Sequence, residues 1–296
     1  MFLPSGVEYR GDPPRSGLAR PAPGSAPPPD PAAVSLPRLL AVDATELWPS
    51  PDRRERWLRL MALLDPRPGE RVLDVGAGEG QALRYAAARL GPGGLAVGVE
   101  HGPGGLGRIG VGLAAGGPPF VAVEADAQAL PFRDGSFDAV LCVEVLEAIP
   151  NRPRALAELR RVLRPGGRAV VAHNDYESQV YACDDRELGR RAVRAYAEAT
   201  FAGYAASDGQ MGRHLWGLFG AAGFRDAELH VLTLVNTEYR EPLFGWRHAQ
   251  FGARLVAGVS DLTDADLDRW RADLAARSAE GRYVYAVDMF VCTGRA

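Results

Sequence analysis

The chain has 296 residues and a formal net charge of −3, with 34 basic side chains against 37 acidic ones. That balance supplies no global positive field for nucleic acid or an anionic membrane, and it favours a small-molecule partner. All 34 basic residues are arginine, which excludes lysine chemistry such as a Schiff base, and the three cysteines stand far apart in no metal-ligand spacing, as fits a reducing cytoplasm.

Residues 1–37 are crowded with Pro, Gly, Ser and Ala, including Pro27-Pro28-Pro29, and read as a disordered tail. Neither a basic start followed by a long apolar stretch nor a run of 18 apolar residues occurs, so neither a secretory leader nor a membrane span is expected. Residues 38–296 read as one domain, with a core at 66–173 and cap insertions at 174–226 and 236–281. After the start signal Ser50-Pro51-Asp52, the spacing of Trp57, Leu60, Met61 and Leu64 predicts a helix over 51–64. A buried strand follows at 71–75, then a helix over 79–90 closed by Gly91-Pro92. Further strands are predicted at 95–100, 120–124, 137–143 and 168–173. Between the second and third, glycines dilute whatever helix Leu106, Ile109 and Leu113 form, each costing about 0.5–1 kcal/mol relative to alanine. The clearest crossover helix spans 151–163, where Asn151 can cap, Pro153 fits the first turn, and Leu156, Leu159 and Leu163 share a face. Helices at 210–222 and 263–278 and strands at 228–235 and 283–292 complete the pattern. Such alternation means an open α/β sheet, doubly wound and mostly parallel, that binds ligands at the carboxyl ends of its strands.

The central stretch is Val72-Leu73-Asp74-Val75-Gly76-Ala77-Gly78-Glu79-Gly80, a buried strand running into three alternating glycines and then a helix. Glycine there permits a tight turn and close approach of a ligand to bare backbone. A dinucleotide fold reserves such a helix N-terminus for pyrophosphate. Here Asp74 and Glu79 flank the spot; they would repel phosphate but suit a ligand carrying an ammonium and a sulfonium. At the end of the second strand Glu100 can accept hydrogen bonds from both ribose hydroxyls. After the third strand Asp126 can accept from the exocyclic amine of an adenine, with Ala127 as a small neighbour of the ring.

Together these residues resemble the class I S-adenosylmethionine-dependent methyltransferases. Asp134-Gly135-Ser136-Phe137-Asp138 and Arg161-Val162-Leu163-Arg164-Pro165-Gly166-Gly167 resemble the family's next two signatures, and the likeness runs from about Arg67 to His173. It implies a seven-stranded sheet with an antiparallel last strand and S-adenosylmethionine as cofactor. Asp74, Gly76, Ala77, Gly78, Gly80, Glu100, His101, Asp126, Ala127 and Cys142 are the expected cofactor residues. The glycine-loaded stretch after Glu100 departs from the family, whose members carry a regular helix there.

Methyl transfer from a sulfonium is an in-line displacement, so alignment and desolvation supply much of the rate. Where the acceptor must lose a proton, His173 at the end of the fifth strand is the candidate catalytic base. Glu144, Asp175 and Tyr176 near it, and His214 and Trp246 in the insertions, are candidate acceptor contacts, with Arg213, Trp216, Arg247 and His248 beside them. Glu144, Asn174 and Asp175 are oxygen donors that suit magnesium, although no metal is expected. The fourth strand ends in Cys142-Val143-Glu144-Val145, unlike the Asn/Asp-Pro-Pro-aromatic run of base-methylating relatives, which again argues against nucleic acid. The chain therefore resembles the quinone-pathway and natural-product branches of the family. Two alternatives stay open: an enzyme that uses the cofactor for cyclisation or decarboxylation, and a non-catalytic cofactor-binding subunit. Methylation on oxygen, nitrogen or carbon is equally open at this point, as are a monomer and a homodimer.

Overall fold

The computed structural model describes residues 44–91, 93–102, 120–199, 207–256 and 260–296. The expected tail at 1–37 and the segment around Leu106, Ile109 and Leu113 lie outside the described residues.

Five parallel strands carry the core: β1 (Arg71–Val75), β2 (Leu95–Glu100), β3 (Phe120–Glu124), β4 (Phe137–Val143) and β5 (Leu163–Asn174). Their spatial order is β3-β2-β1-β4-β5. Three more follow: β6 (Val180–Tyr181), β7 (Arg225–Asn236) and β8 (Tyr285–Arg295). β8 runs antiparallel to β5 on one side and to β7 on the other. The two-residue β6 pairs with Tyr285 and Ala286 of β8, continuing the line of β5. The sheet thus contains the seven expected strands, the last antiparallel, plus a short eighth that the sequence did not suggest.

The described helices are α1 (Ala44–Leu47), α2 (Pro51–Leu64), α3 (Gln81–Leu90), α4 (Arg152–Val162), α5 (Arg186–Glu198), α6 (Met211–Ala221), α7 (Phe244–Val256) and α8 (Asp264–Ala279). Side chains alternate across a strand, so Val72 and Leu73 of β1 face opposite layers. On one face Leu60, Met61 and Leu64 of α2 and Leu83 and Leu90 of α3 join Val72, Leu141 and Val170. On the other, Leu156 and Leu159 of α4 and Leu215 and Phe219 of α6 join Leu73, Val140 and Val171. Leu156 and Leu159 are fully buried, each contributing about 1.5–3 kcal/mol. A third cluster forms the cap, where α5, α7 and α8 bury Tyr196, Ala249 and Trp270 against Tyr283 and Tyr285. Among the described residues no helix is long and apolar enough to cross a membrane.

The chain runs outward from β1 through β2 to β3, then returns to lay β4 against the other side of β1. Connections therefore leave β1 and β4 in opposite directions, opening a crevice at their carboxyl ends.

Candidate functional site

Asp74 lies near the end of β1, and the chain turns sharply at Gly76 immediately after the strand. Gly76 has φ of +75° and donates its N–H to Val99 O at 2.8 Å, tying the turn to β2. A Cβ on Gly76 would come within 2.2 Å of Val145 Cγ2, so glycine is what lets the loops after β1 and β4 touch. Gly78, at φ +57°, has nothing within 4 Å of the position a Cβ would take, which leaves its backbone bare. Its N–H donates to Glu100 Oε1 at 2.6 Å. Gly80 donates to Ala77 O at 2.8 Å, closing the turn that opens α3, and Ala77 itself is buried.

Asp74 and Glu100 share the sheet face covered by α2 and α3, since each is an even number of residues from Val72 or Ala96. Burial, and then the Glu100 charge, push the Asp74 carboxyl up to about 7. Asp126 is held below the ordinary carboxylate range: burial opposes this, but hydrogen bonds from the Gln128 backbone and side chain, with His101 and Arg154 nearby, outweigh it. His101 is exposed just past Glu100, and Ala127 is buried. Burial and the neighbouring Asp74 push the Cys142 thiol far up, which excludes a thiolate nucleophile.

Across the crevice, the first residue after β4 is Glu144, held at φ +59°, a left-handed backbone that costs a side-chain-bearing residue about 1–3 kcal/mol. The strain aims its carboxylate at the end of β5. Oε1 accepts from Asn174 N–H at 2.6 Å, and Oε2 accepts from Asn174 Nδ2 at 2.7 Å and from the Tyr176 hydroxyl at 2.5 Å. Burial would raise this carboxyl, but His173, Tyr176, Asn174 and Arg56 together hold it below its ordinary range. Arg56 of α2, itself buried, donates to Asn174 Oδ1 at 2.9 Å and lies 4.8 Å above the Phe244 ring. His173 is 1% exposed; its Nδ1 stands 3.1 Å from Asn174 O and 3.3 Å from Glu144 Oε1. Its Nε2 faces Glu147 Oε2 at 3.8 Å.

The expected residues thus divide into groups. Asp74, the glycine turn and Glu100 converge, as do His173, Glu144 and Tyr176. Asp175 turns away: its carboxylate makes a two-point ion pair with Arg213, including Arg213 Nη2 to Oδ1 at 2.7 Å, and caps Glu177 and Ser178. Glu144, Asn174 and Asp175 therefore do not converge on a common point for magnesium. His214, half exposed, pairs with Asp208 at 3.1 Å, and Asp208 in turn pairs with Arg152. Trp246 sits partly buried in the first turn of α7. His248 packs between Tyr176 and Phe244, and burial drives it down to about 3, so it is neutral.

Two polar residues of the crevice escaped the sequence reading, Arg56 and Glu147. Arg56 occupies the apolar stripe of α2 four residues before Leu60, and Glu147 interrupts the apolar run Val145 to Ile149. A lone charge on an apolar face was the signal for both.

A family described as a methyltransferase domain matches residues 73–171. Nocamycin O-methyltransferase of Saccharothrix syringae is 32% identical over 264 residues, covering 80% of this chain and 89% of that protein. An uncharacterised 37.1 kDa protein in transposon TN4556 of Streptomyces fradiae is 36% identical over 136 residues, 46% of this chain but only 39% of that protein's length. Among solved structures, the YcgJ protein from Bacillus subtilis matches with a TM-score of 0.52 at 19% identity, over 80% of this chain and 95% of that one, a likeness of fold.

Proposed function

Because the chain belongs to the class I S-adenosylmethionine-dependent methyltransferase family, we propose that it transfers a methyl group to a small-molecule acceptor at the crevice between β1 and β4. The observation that carries this reading is the Glu100 carboxylate on the Gly78 N–H at 2.6 Å. In a dinucleotide fold that N–H belongs to a pyrophosphate; an acid in its place disfavours phosphate and suits a hydroxylated, cationic ligand. The residues fit S-adenosylmethionine. Glu100 can take ribose hydroxyls, Asp126 an adenine amine, and the glycine turn at Gly76 and Gly78 with Asp74 the methionine end. When bound, that group supplies an activated methyl on a sulfonium.

The protein's part is to orient the acceptor, exclude water and receive a proton. His173 is the candidate base, with the Glu144 carboxylate 3.3 Å from its Nδ1. The Glu144 carboxylate beside Nδ1 would stabilise the imidazolium formed on proton transfer. Asn174, Tyr176 and Arg56 fix Glu144 and act as positioning residues. A relative named for O-methylation of nocamycin supports a small organic acceptor.

Incubation with methyl-labelled S-adenosylmethionine and a small-molecule extract tests the reading. Label in an organic product is the expected outcome. Turnover of the extract without label would favour cyclisation or decarboxylation, and binding alone a non-catalytic subunit.

A further inference from the structure

The first turns of α2 and α7 are tied together on the Glu144 side of the crevice. Asp52 of α2 accepts from the Phe244 N–H at 2.9 Å and from Asn236 Nδ2 at 2.7 Å, and the Ser50 hydroxyl donates to Pro242 O at 3.1 Å. That contact gathers three guanidiniums. Arg53 follows Asp52, Arg56 lies one turn on and 4.8 Å over the Phe244 ring, and Arg247 stands three positions beyond Phe244 on α7. Burial, then the charges of Arg247 and Arg56, lower Arg53 from its ordinary range. The same three cations, together with Glu144, act on the imidazole of His248, which packs on Tyr176.

Like charges drawn together and partly out of water are costly unless an anion answers them. The two acids at hand are already engaged. Asp52 also accepts from the Arg53 backbone N–H at 2.7 Å, and both oxygens of Glu144 are taken by Asn174 and Tyr176. Arg56 donates to Asn174. The side chains of Arg53 and Arg247, by contrast, make no hydrogen bond or ion pair with any described residue. Both can be reached from solvent, Arg53 in part and Arg247 openly. Asp52 and Glu144 are held below the ordinary carboxylate range and are ionised, so three cations against these two acids leave one positive charge in excess.

We infer that Arg53 and Arg247 are specificity-determining residues that grip a carboxylate of the acceptor, so that the substrates of this enzyme are organic acids. This rests on the methyl-transfer reading above. A guanidinium presents parallel N–H donors that match the two oxygens of a planar carboxylate. One excess positive charge suits one negative charge, whereas the second charge of a phosphate would fall against Asp52 and Glu144. A hold from α2 on one side and α7 on the other orients the acceptor beside Glu144 and His173. The grip selects the acceptor and leaves open which of its atoms takes the methyl group.

The test uses the full chain, methyl-labelled S-adenosylmethionine and a small-molecule extract divided at neutral pH on an anion exchanger. Acceptor activity is expected in the retained fraction, is expected to survive phosphatase, and is expected to vanish when the carboxylates of that fraction are converted to amides. Activity in the unretained fraction overturns the inference while leaving the methyl-transfer reading intact. Activity destroyed by phosphatase overturns the carboxylate in favour of a phosphate. Label in no fraction overturns both readings. With the retained fraction, Arg53→Gln and Arg247→Gln are each expected to raise KM about tenfold or more, and Arg53→Lys and Arg247→Lys, which keep the charge but lose the fork, to raise it less. Calorimetry with S-adenosylhomocysteine should show the same cofactor affinity in every variant, which establishes that each is folded. Arg54→Gln, which removes a neighbouring charge, is expected to leave KM within about twofold of the wild type. An unchanged KM in the Arg53 and Arg247 variants, or an equal rise in Arg54→Gln, overturns the role.

Discussion

Asp74 is an acid among the branched apolar residues Val72, Leu73 and Val75 of β1, and its charge state couples the crevice to pH. The carboxyl sits at about 7 because burial and Glu100 disfavour its ionised form. A raised value means the folded state holds the proton longer than the unfolded one. The stability this gives is full below the unfolded value of about 4 and is lost as pH rises through about 7. A cationic ligand reverses the preference, since it binds the ionised form better. The affinity for S-adenosylmethionine is therefore expected to climb between about pH 6 and about pH 8, and Asp74→Asn to flatten that climb, as read by calorimetry at each pH. Asp74 and Glu100 were legible in the sequence because they sit at fixed offsets from the glycines. Glu147 showed only as a lone charge in an apolar run, and its nearness to His173, 26 positions along the chain, is set by the pairing of β4 with β5.

At the scale of elements, the loops after β1 and β4 are built to meet. Gly76→Ala would place a methyl against Val145 and force a left-handed backbone on a residue with a Cβ, at a cost of at least about 1–2 kcal/mol from the backbone alone. Val145→Ala in the same chain should recover the steric part and leave the backbone part, a partition that chemical denaturation of the single and double variants measures. Recovery of nothing would mean the contact is unimportant. Four of the five parallel strands and α2, α4 and α6 were readable because their apolar periods agree with their boundaries, whereas β5 begins at Leu163, a residue the sequence assigned to the face of α4. Asn151 caps α4 as expected, accepting from Arg154 N–H at 3.1 Å. α5 and α7 were missed. In α5 the buried set Leu188, Ala192 and Tyr196 has the right spacing, but arginines and small residues dilute it. In α7 the buried face contains Gly245, Ala249, Gly252 and Ala253, residues too small to mark an apolar stripe.

On the scale of the whole molecule, the sheet sets the division of labour. Reversal of strand order between β1 and β4 brings the acidic glycine turn to one lip of the crevice and the Glu144, Glu147 and His173 cluster to the other. The cap of α5, α7 and α8 reaches that second lip through Tyr176, whose ring packs on His248 of α7 and Tyr196 of α5 and whose hydroxyl holds Glu144. The core was legible because one ordered set of motifs dictates it, whereas the cap follows from which aromatic rings find one another in space. Titration of the purified protein with S-adenosylhomocysteine, NAD and ATP in parallel calorimeter runs probes the acidic mouth most directly. S-adenosylhomocysteine should bind with saturable heat while both phosphate-bearing ligands give none. Saturable binding of NAD or ATP, with no heat from S-adenosylhomocysteine, would contradict the assignment of Gly78 and Glu100 to a phosphate-free nucleoside.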